Sequence, residues 1–195
     1  APRFTVLEPV QSSPENCEIT MAESPNHGLR WVRQNCTRDS IVAFDIETRG
    51  TEPHLPESAI VGYSLCVDNK TMYMNCRLPD RTVLVTEPLE KLAQLGCRVI
   101  AHNLMFDGSW IATHAPELYK KINWWRCTYL SYKLLATEGW AGQSWSLKKA
   151  QTELLGWQET NEVKLDRYLV IKGLVKGAVS KDFKEKWGPK KRWSY

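Results

Sequence analysis

The first clear pattern along the chain is a β-branched, almost continuously apolar run, Ile41-Val42-Ala43-Phe44-Asp45-Ile46. It predicts a buried central strand. A loop rich in turn residues follows from Arg49 to Pro56. Ala59–Val67 then reads as a second strand and Thr71–Asn75 as a third, with Asp68-Asn69-Lys70 as hairpin-turn sequence between them. Thr86 stands where a helix cap is expected, with Glu87 and Pro88 in the first turn, Leu89, Leu92, Ala93 and Leu95 as the apolar face, and Gly96 at the end. Arg98–Ala101 reads as a short buried strand, and a helix is expected from Asn103 to about Thr113. Pro116 and Glu117 begin a further turn.

Two more helices are predicted downstream. Thr128–Thr137 carries Leu130, Leu134 and Leu135 on one side, and Ser144 or Ser146 caps a helix that runs to Leu155 and closes at Gly156. Asn161–Lys172 reads as a short helix, and after Gly177 the pattern gives way to charge. Upstream, residues 1–26 have little periodicity and read as an extended arm, followed by a short helix over Leu29–Asn35. The hairpin strands pair antiparallel, and the Arg98–Ala101 strand returns through a helical crossover. The expected fold is therefore α/β, a mixed sheet flanked by helices. Three segments follow: an N-terminal arm over residues 1–39, a domain over 40–180 and a basic tail over 181–195.

Composition narrows the function classes. The chain is 43% hydrophobic and 25% charged, which is ordinary globular usage. No apolar run approaches the roughly 18 residues that span a membrane, and no apolar stretch follows Ala1-Pro2-Arg3-Phe4 as a secretory leader would require. No membrane partner is expected, and a cytoplasmic location is. The net charge of +4 is mildly basic, and residues 181–192 hold six Lys/Arg against two acids. Such a tail suits phosphate contact or simple solvation. The six cysteines form no CxxC pair, and Cys66 and Cys97 sit in apolar runs, which reads as buried hydrophobes in a reducing compartment. Of the nine tryptophans, all but Trp31 lie in the second half. They read as core anchors or as faces for base stacking.

The chemistry concentrates in three carboxylates. Asp45 and Glu47 are two apart on the first strand, so they point to the same face. Two like charges this close repel unless a cation or hydrogen bonds compensate, and carboxylate oxygens suit Mg2+ or Mn2+. Alone, Asp-x-Glu equally describes a strand end running into solvent. The second segment is Ile100-Ala101-His102-Asn103-Leu104-Met105-Phe106-Asp107, a strand, a polar turn and a helix start. Asp107 is placed either to complement the helix dipole or to face Asp45 and Glu47 across the sheet end, where sites gather in open α/β sheets.

Together these residues resemble the DEDD superfamily of 3′→5′ exonucleases, and most closely the proofreading domain of family A DNA polymerases in its phage-type branch. Phe44-Asp45-Ile46-Glu47-Thr48 fits the first exonuclease motif, and Asn103-Leu104-Met105-Phe106-Asp107 fits the second, Asn-x-x-(Phe/Tyr)-Asp. Downstream, Ser146-Leu147-Lys148-Lys149-Ala150 with Leu154-Leu155-Gly156 is similar to that family's Leu-Lys-x-x-Ala…Leu-Gly helix, and Leu174-Val175-Lys176-Gly177 with Ser180-Lys181 is similar to phage enzymes. The resemblance covers roughly residues 40–180. It implies an RNase H-like mixed sheet and two-metal hydrolysis with Mg2+ or Mn2+. It implies that Asp45, Glu47 and Asp107 are metal ligands and catalytic residues. Thr48, Asn103 and Phe106 would contact the terminal nucleotide of a single-stranded DNA 3′ end, and His102 is a further nucleic-acid candidate. If the chain is phage-encoded, the location is the host-cell cytoplasm.

The chain departs from the family in its fourth carboxylate, expected in Tyr-x-x-x-Asp or His-x-x-x-x-Asp. Asp166 follows Glu162 and Asn161 at those spacings, and Asp182 follows Ala178 and Gly177. Where the family often has Asp-Thr, this chain has Cys127-Thr128. The expectation is therefore an exonuclease domain incomplete at its C-terminal end, completed by a polymerase domain or a second chain. Two other readings stand beside it: a nucleic-acid-binding module without chemistry, and an RNA 3′→5′ exonuclease of the same superfamily.

Overall fold

A computed structural model of the chain describes residues 17–77, 84–135 and 146–155. The readings over 161–181 and the basic tail lie outside them. Of the described residues, 17–77 and 84–135 belong to one compact unit and 146–155 to another.

The larger unit holds a six-stranded sheet in the order β1-β4-β3-β2-β5-β6. The strands are β1 (Glu18–Ala22), β2 (Ile41–Arg49), β3 (Ala59–Val67), β4 (Lys70–Asn75), β5 (Arg98–Ala101) and β6 (Asn123–Cys127). β2, β3 and β4 form the predicted antiparallel meander. Asp68 turns the hairpin between β3 and β4 with a left-handed φ of 51°, a conformation Asp tolerates better than most residues. β5 returns parallel to β2, and β6 lies parallel to β5. The helices are α1 (Pro25–Asn35), α2 (Glu87–Leu95), α3 (Leu104–His114), α4 (Pro116–Lys121) and α5 (Thr128–Leu135), with α6 (Leu147–Leu155) in the smaller unit. This is the expected mixed α/β, RNase H-like sheet.

Strand period explains the core. In β2, Val42, Phe44 and Ile46 are buried while Ile41, Ala43, Asp45 and Glu47 are exposed, as the two-residue alternation requires. The buried face meets Leu65, Tyr63, Met72, Met74 and Val99 from the neighbouring strands, and Trp31, Val32, Leu89, Leu92, Trp110 and Ile111 from α1, α2 and α3. Tyr63 is buried with its hydroxyl donating to the Val85 carbonyl at 2.8 Å.

Four elements differ from the sequence reading. The presumed arm contains β1, an edge strand parallel to β4. Its apolar residues Ile19 and Met21 are exposed, so it lacks the buried apolar face by which strands are read. The helix near Leu29 starts earlier, at Pro25, because Ser24 caps it by accepting from His27 N–H at 3.3 Å. β6 was not expected; a register irregularity opposite Val99 and Ile100 breaks the alternation through Trp124-Trp125-Arg126. In α5, Leu130 and Leu134 are exposed and Tyr132 is buried instead. Thr86 begins α2 without a side-chain capping bond, whereas Ser146 Oγ does accept from Lys149 N–H at 3.3 Å.

Gly96 ends α2 in the left-handed region, φ 71°, and a side chain there would meet nothing within 4 Å. Only backbone strain then opposes substitution. Gly96→Ala is expected to lower stability by about 1–2 kcal/mol and Gly96→Asn by less, read from urea-unfolding midpoints; equal losses would contradict a conformational cause.

Candidate active site

The end of β2 is built by what β5 does not cover. β5 pairs with β2 only over Ile41–Ala43. Beyond that point the chain leaves the sheet at Ala101, and the backbone of β2 needs another partner. Asp107 supplies it: Ile46 N–H donates to Asp107 Oδ1 at 3.2 Å, across 61 positions of sequence. Asp107 reaches this place from the first turn of α3. The turn before it passes through Asn103, whose φ of 63° is left-handed, and the Phe106 N–H closes onto the Asn103 carbonyl at 2.8 Å.

Ile46 lies between Asp45 and Glu47, so the bond brings the third carboxylate to the strand that carries the other two. Asp107 is buried, only 2% exposed, and burial pushes its carboxyl up to about 6. The Ile46 N–H opposes this rise, and the charge of Asp45 adds to it. Asp45 and Glu47 are on the exposed face. Partial burial raises both; Asp45 raises Glu47 further, and His102 pulls Asp45 back down. Burial, and then the charge of Asp45 beside Glu47 and Asp107, makes these acids harder to ionise.

The donor set fits a hard divalent cation in kind: oxygen atoms only, anionic and mutually repelling. Among the described residues, no three His, Cys, Asp or Glu side chains are gathered as a formed metal-binding group. The fit is one of donor chemistry.

The other candidates are placed as follows. His102 Nδ1 lies 3.0 Å from Thr128 Oγ1, and that hydroxyl donates to the Ala101 carbonyl at 3.3 Å. The Thr128 hydroxyl thus stands between the imidazole and the end of β5 and holds the ring in place. The ring also meets Tyr129 edge-on at 5.7 Å. Phe106 packs tilted against Trp110, 6.2 Å between centroids. Thr48 Oγ1 donates to the Gly50 carbonyl at 2.8 Å, so its hydroxyl serves the loop after β2. His54 is exposed and lies 3.4 Å from Glu52, the solvated setting its loop suggested.

Two residues were missed. Thr128 holds His102, and the retained Thr of Cys127-Thr128 was the available signal. Tyr73 on β4 has its phenol raised by burial and then by the charge of Glu47. No local motif marks it, because the two residues are brought near only by pairing across three strands.

No family model and no curated protein matches the sequence. Solved structures do. NrnC of Brucella melitensis with bound Mg2+ aligns with a TM-score of 0.54 at 20% identity, over 74% of this chain and 64% of that one. The catalytic core of RRP6 from Trypanosoma brucei aligns at 0.56 and 12% identity, over 81% and 40%. RNase D of Escherichia coli, an exoribonuclease involved in structured RNA processing, aligns at 0.52 and 14% identity, over 75% and 36%. The likeness is one of fold: these nucleases share the mixed α/β, RNase H-like sheet. The chain spans less than two thirds of the length of each of these three neighbours. None of the three is a polymerase domain, so this likeness gives no support to the family A branch.

The raised carboxyl of Asp107 gives a stability prediction. The folded chain binds this proton more tightly than the unfolded chain, whose ordinary value is 3.8. Stability therefore falls as pH rises from about 4 to about 6, and the full cost persists above that. Asp107→Asn, in EDTA, is expected to stabilise the protein at pH 8 by on the order of 1–3 kcal/mol and to be neutral near pH 4. Denaturant melts at the two pH values test this, and a variant less stable at pH 8 would overturn the assigned cause.

Proposed function

We propose that the chain carries the active site of a metal-dependent 3′→5′ exonuclease that acts on single-stranded RNA ends. The observation that carries this reading is the convergence of Asp45, Glu47 and Asp107 on the end of β2, tied by the Ile46–Asp107 hydrogen bond, within this fold. An exoribonuclease among the structural neighbours supports RNA over DNA. So does the neighbour that carries Mg2+ for the choice of cation.

In this reading Asp45, Glu47 and Asp107 hold Mg2+ or Mn2+. The bound cations supply an activated water and neutralise charge at the scissile phosphate. The chain does the positioning. Asp45 and Glu47 present their carboxylates on one exposed face. Asp107 is held against the β2 backbone, so one ligand is fixed by a covalently distant element. Asn103 and Phe106, on the turn beside Asp107, place the terminal nucleotide. His102, oriented by Thr128 next to Asp45, contacts the phosphate backbone. A further carboxylate, from residues outside the described ones or from a second chain such as a polymerase domain, completes the set.

A DNA-directed proofreading role is the second reading. The Ser146–Ala150 segment, which resembles family A enzymes, favours it, and it lies at the capped start of α6.

The test is digestion of matched 5′-labelled single-stranded RNA and DNA with Mg2+ or Mn2+, against EDTA. RNA is expected to shorten from its 3′ end only with metal. Asp45→Ala with Glu47→Ala is expected to lower the rate by on the order of 100-fold or more while the fold, read by circular dichroism, is kept. Preferential shortening of DNA would favour proofreading. Unchanged cleavage by the double variant would remove these residues from the site.

A further inference from the structure

Tyr73 occupies a position that its own strand register does not explain. On β4 it pairs with Ser64 of β3, and Asn75 pairs with Gly62. Yet a side chain at Gly62 would collide with the Tyr73 hydroxyl and ring, and would stand 3.0 Å from the Met74 carbonyl oxygen. The phenol therefore lies diagonally across the sheet surface and fills the space above Gly62.

Gly62 is the residue opposite Glu47 on β2, and the β2–β3 register shifts immediately after this pair. Side chains directly opposite in an antiparallel ladder start about 4.5–5.5 Å apart. A hydroxyl seated over Gly62 is therefore within reach of a Glu side chain rising from Glu47. Local shifts of this kind re-aim side chains next to functional sites. The Tyr73 hydroxyl has no hydrogen-bond partner among the described residues, unlike Tyr63, whose hydroxyl is spent on Val85. It is half-buried, and the charge of Glu47 reaches it.

We propose that Tyr73 is a positioning residue for Glu47: its hydroxyl, laid across Gly62, donates a hydrogen bond that fixes the Glu47 carboxylate as it engages a divalent cation. This rests on the reading of Asp45, Glu47 and Asp107 as a cation site. It gives Gly62 a purpose, since any side chain there would lift the phenol from Glu47. Tyr73 itself touches neither the scissile bond nor the attacking water.

The experiment is a double-mutant cycle on Mn2+ affinity, measured by titration calorimetry with Mn2+ alone on the full chain, Tyr73→Phe, Glu47→Ala and the double variant. Phe keeps the ring over Gly62 and removes only the donor. Tyr73→Phe is expected to weaken Mn2+ binding about 3- to 10-fold in the chain that retains Glu47, and to have no effect in the Glu47→Ala background. Equal weakening in both backgrounds, or none in either, overturns the proposal. A chain that binds Mn2+ through Glu47 yet shortens no nucleic acid sinks the exonuclease reading alone, because the cycle can still be read. A chain whose Mn2+ affinity does not depend on Glu47 sinks both.

Discussion

The hydrogen bond from the Ile46 amide to Asp107 is the constraint on which the site depends. A parallel partner strand that pairs over only three residues leaves the far half of β2 with backbone groups to satisfy. A carboxylate brought in by the next helix satisfies one of them. Sheet and helix are joined there by a charged group rather than by ladder continuation. The join is costly when Asp107 is ionised without compensation, because the group is buried and faces another acid. One buried group therefore bears both on the closure of the sheet end and on the charge gathered there.

Much of the sheet was legible because it obeys simple periods. β2, β3 and β5 are apolar runs bounded by turn chemistry, and their limits fall where Gly50, Asp68 and the polar turn after Ala101 place them. The two acids of β2 were legible for the same reason, since a two-residue spacing fixes a common face. Asp107 was placed by the strand–turn–helix pattern, although nothing in that pattern shows its bond to Ile46.

What escaped is non-local. β1 is a strand because β4 offers it an edge, not because its own residues alternate between core and solvent. β6 follows β5 in parallel with an irregular register, so no strand alternation marks Trp124 and Trp125 in the sequence. α5 turns Leu130 and Leu134, two of the leucines that share one side of it, outward. Tyr73 is reached from Glu47 only through a third strand. Each miss is a case where a neighbour, rather than the segment itself, decides the outcome.

Asn103 has a double burden. Its left-handed backbone carries the chain from β5 into α3, a conformation that Asn and Gly accept and most residues do not. The same side chain is the one expected near a terminal nucleotide. Selection for a well-formed turn and selection for substrate contact would both retain Asn here. A descendant that had lost its chemistry would keep it as long as α3 still had to start in this direction. The presence of Asn103 is therefore a poor witness to activity in any relative, whereas Glu47, which no turn or core requires, is a good one.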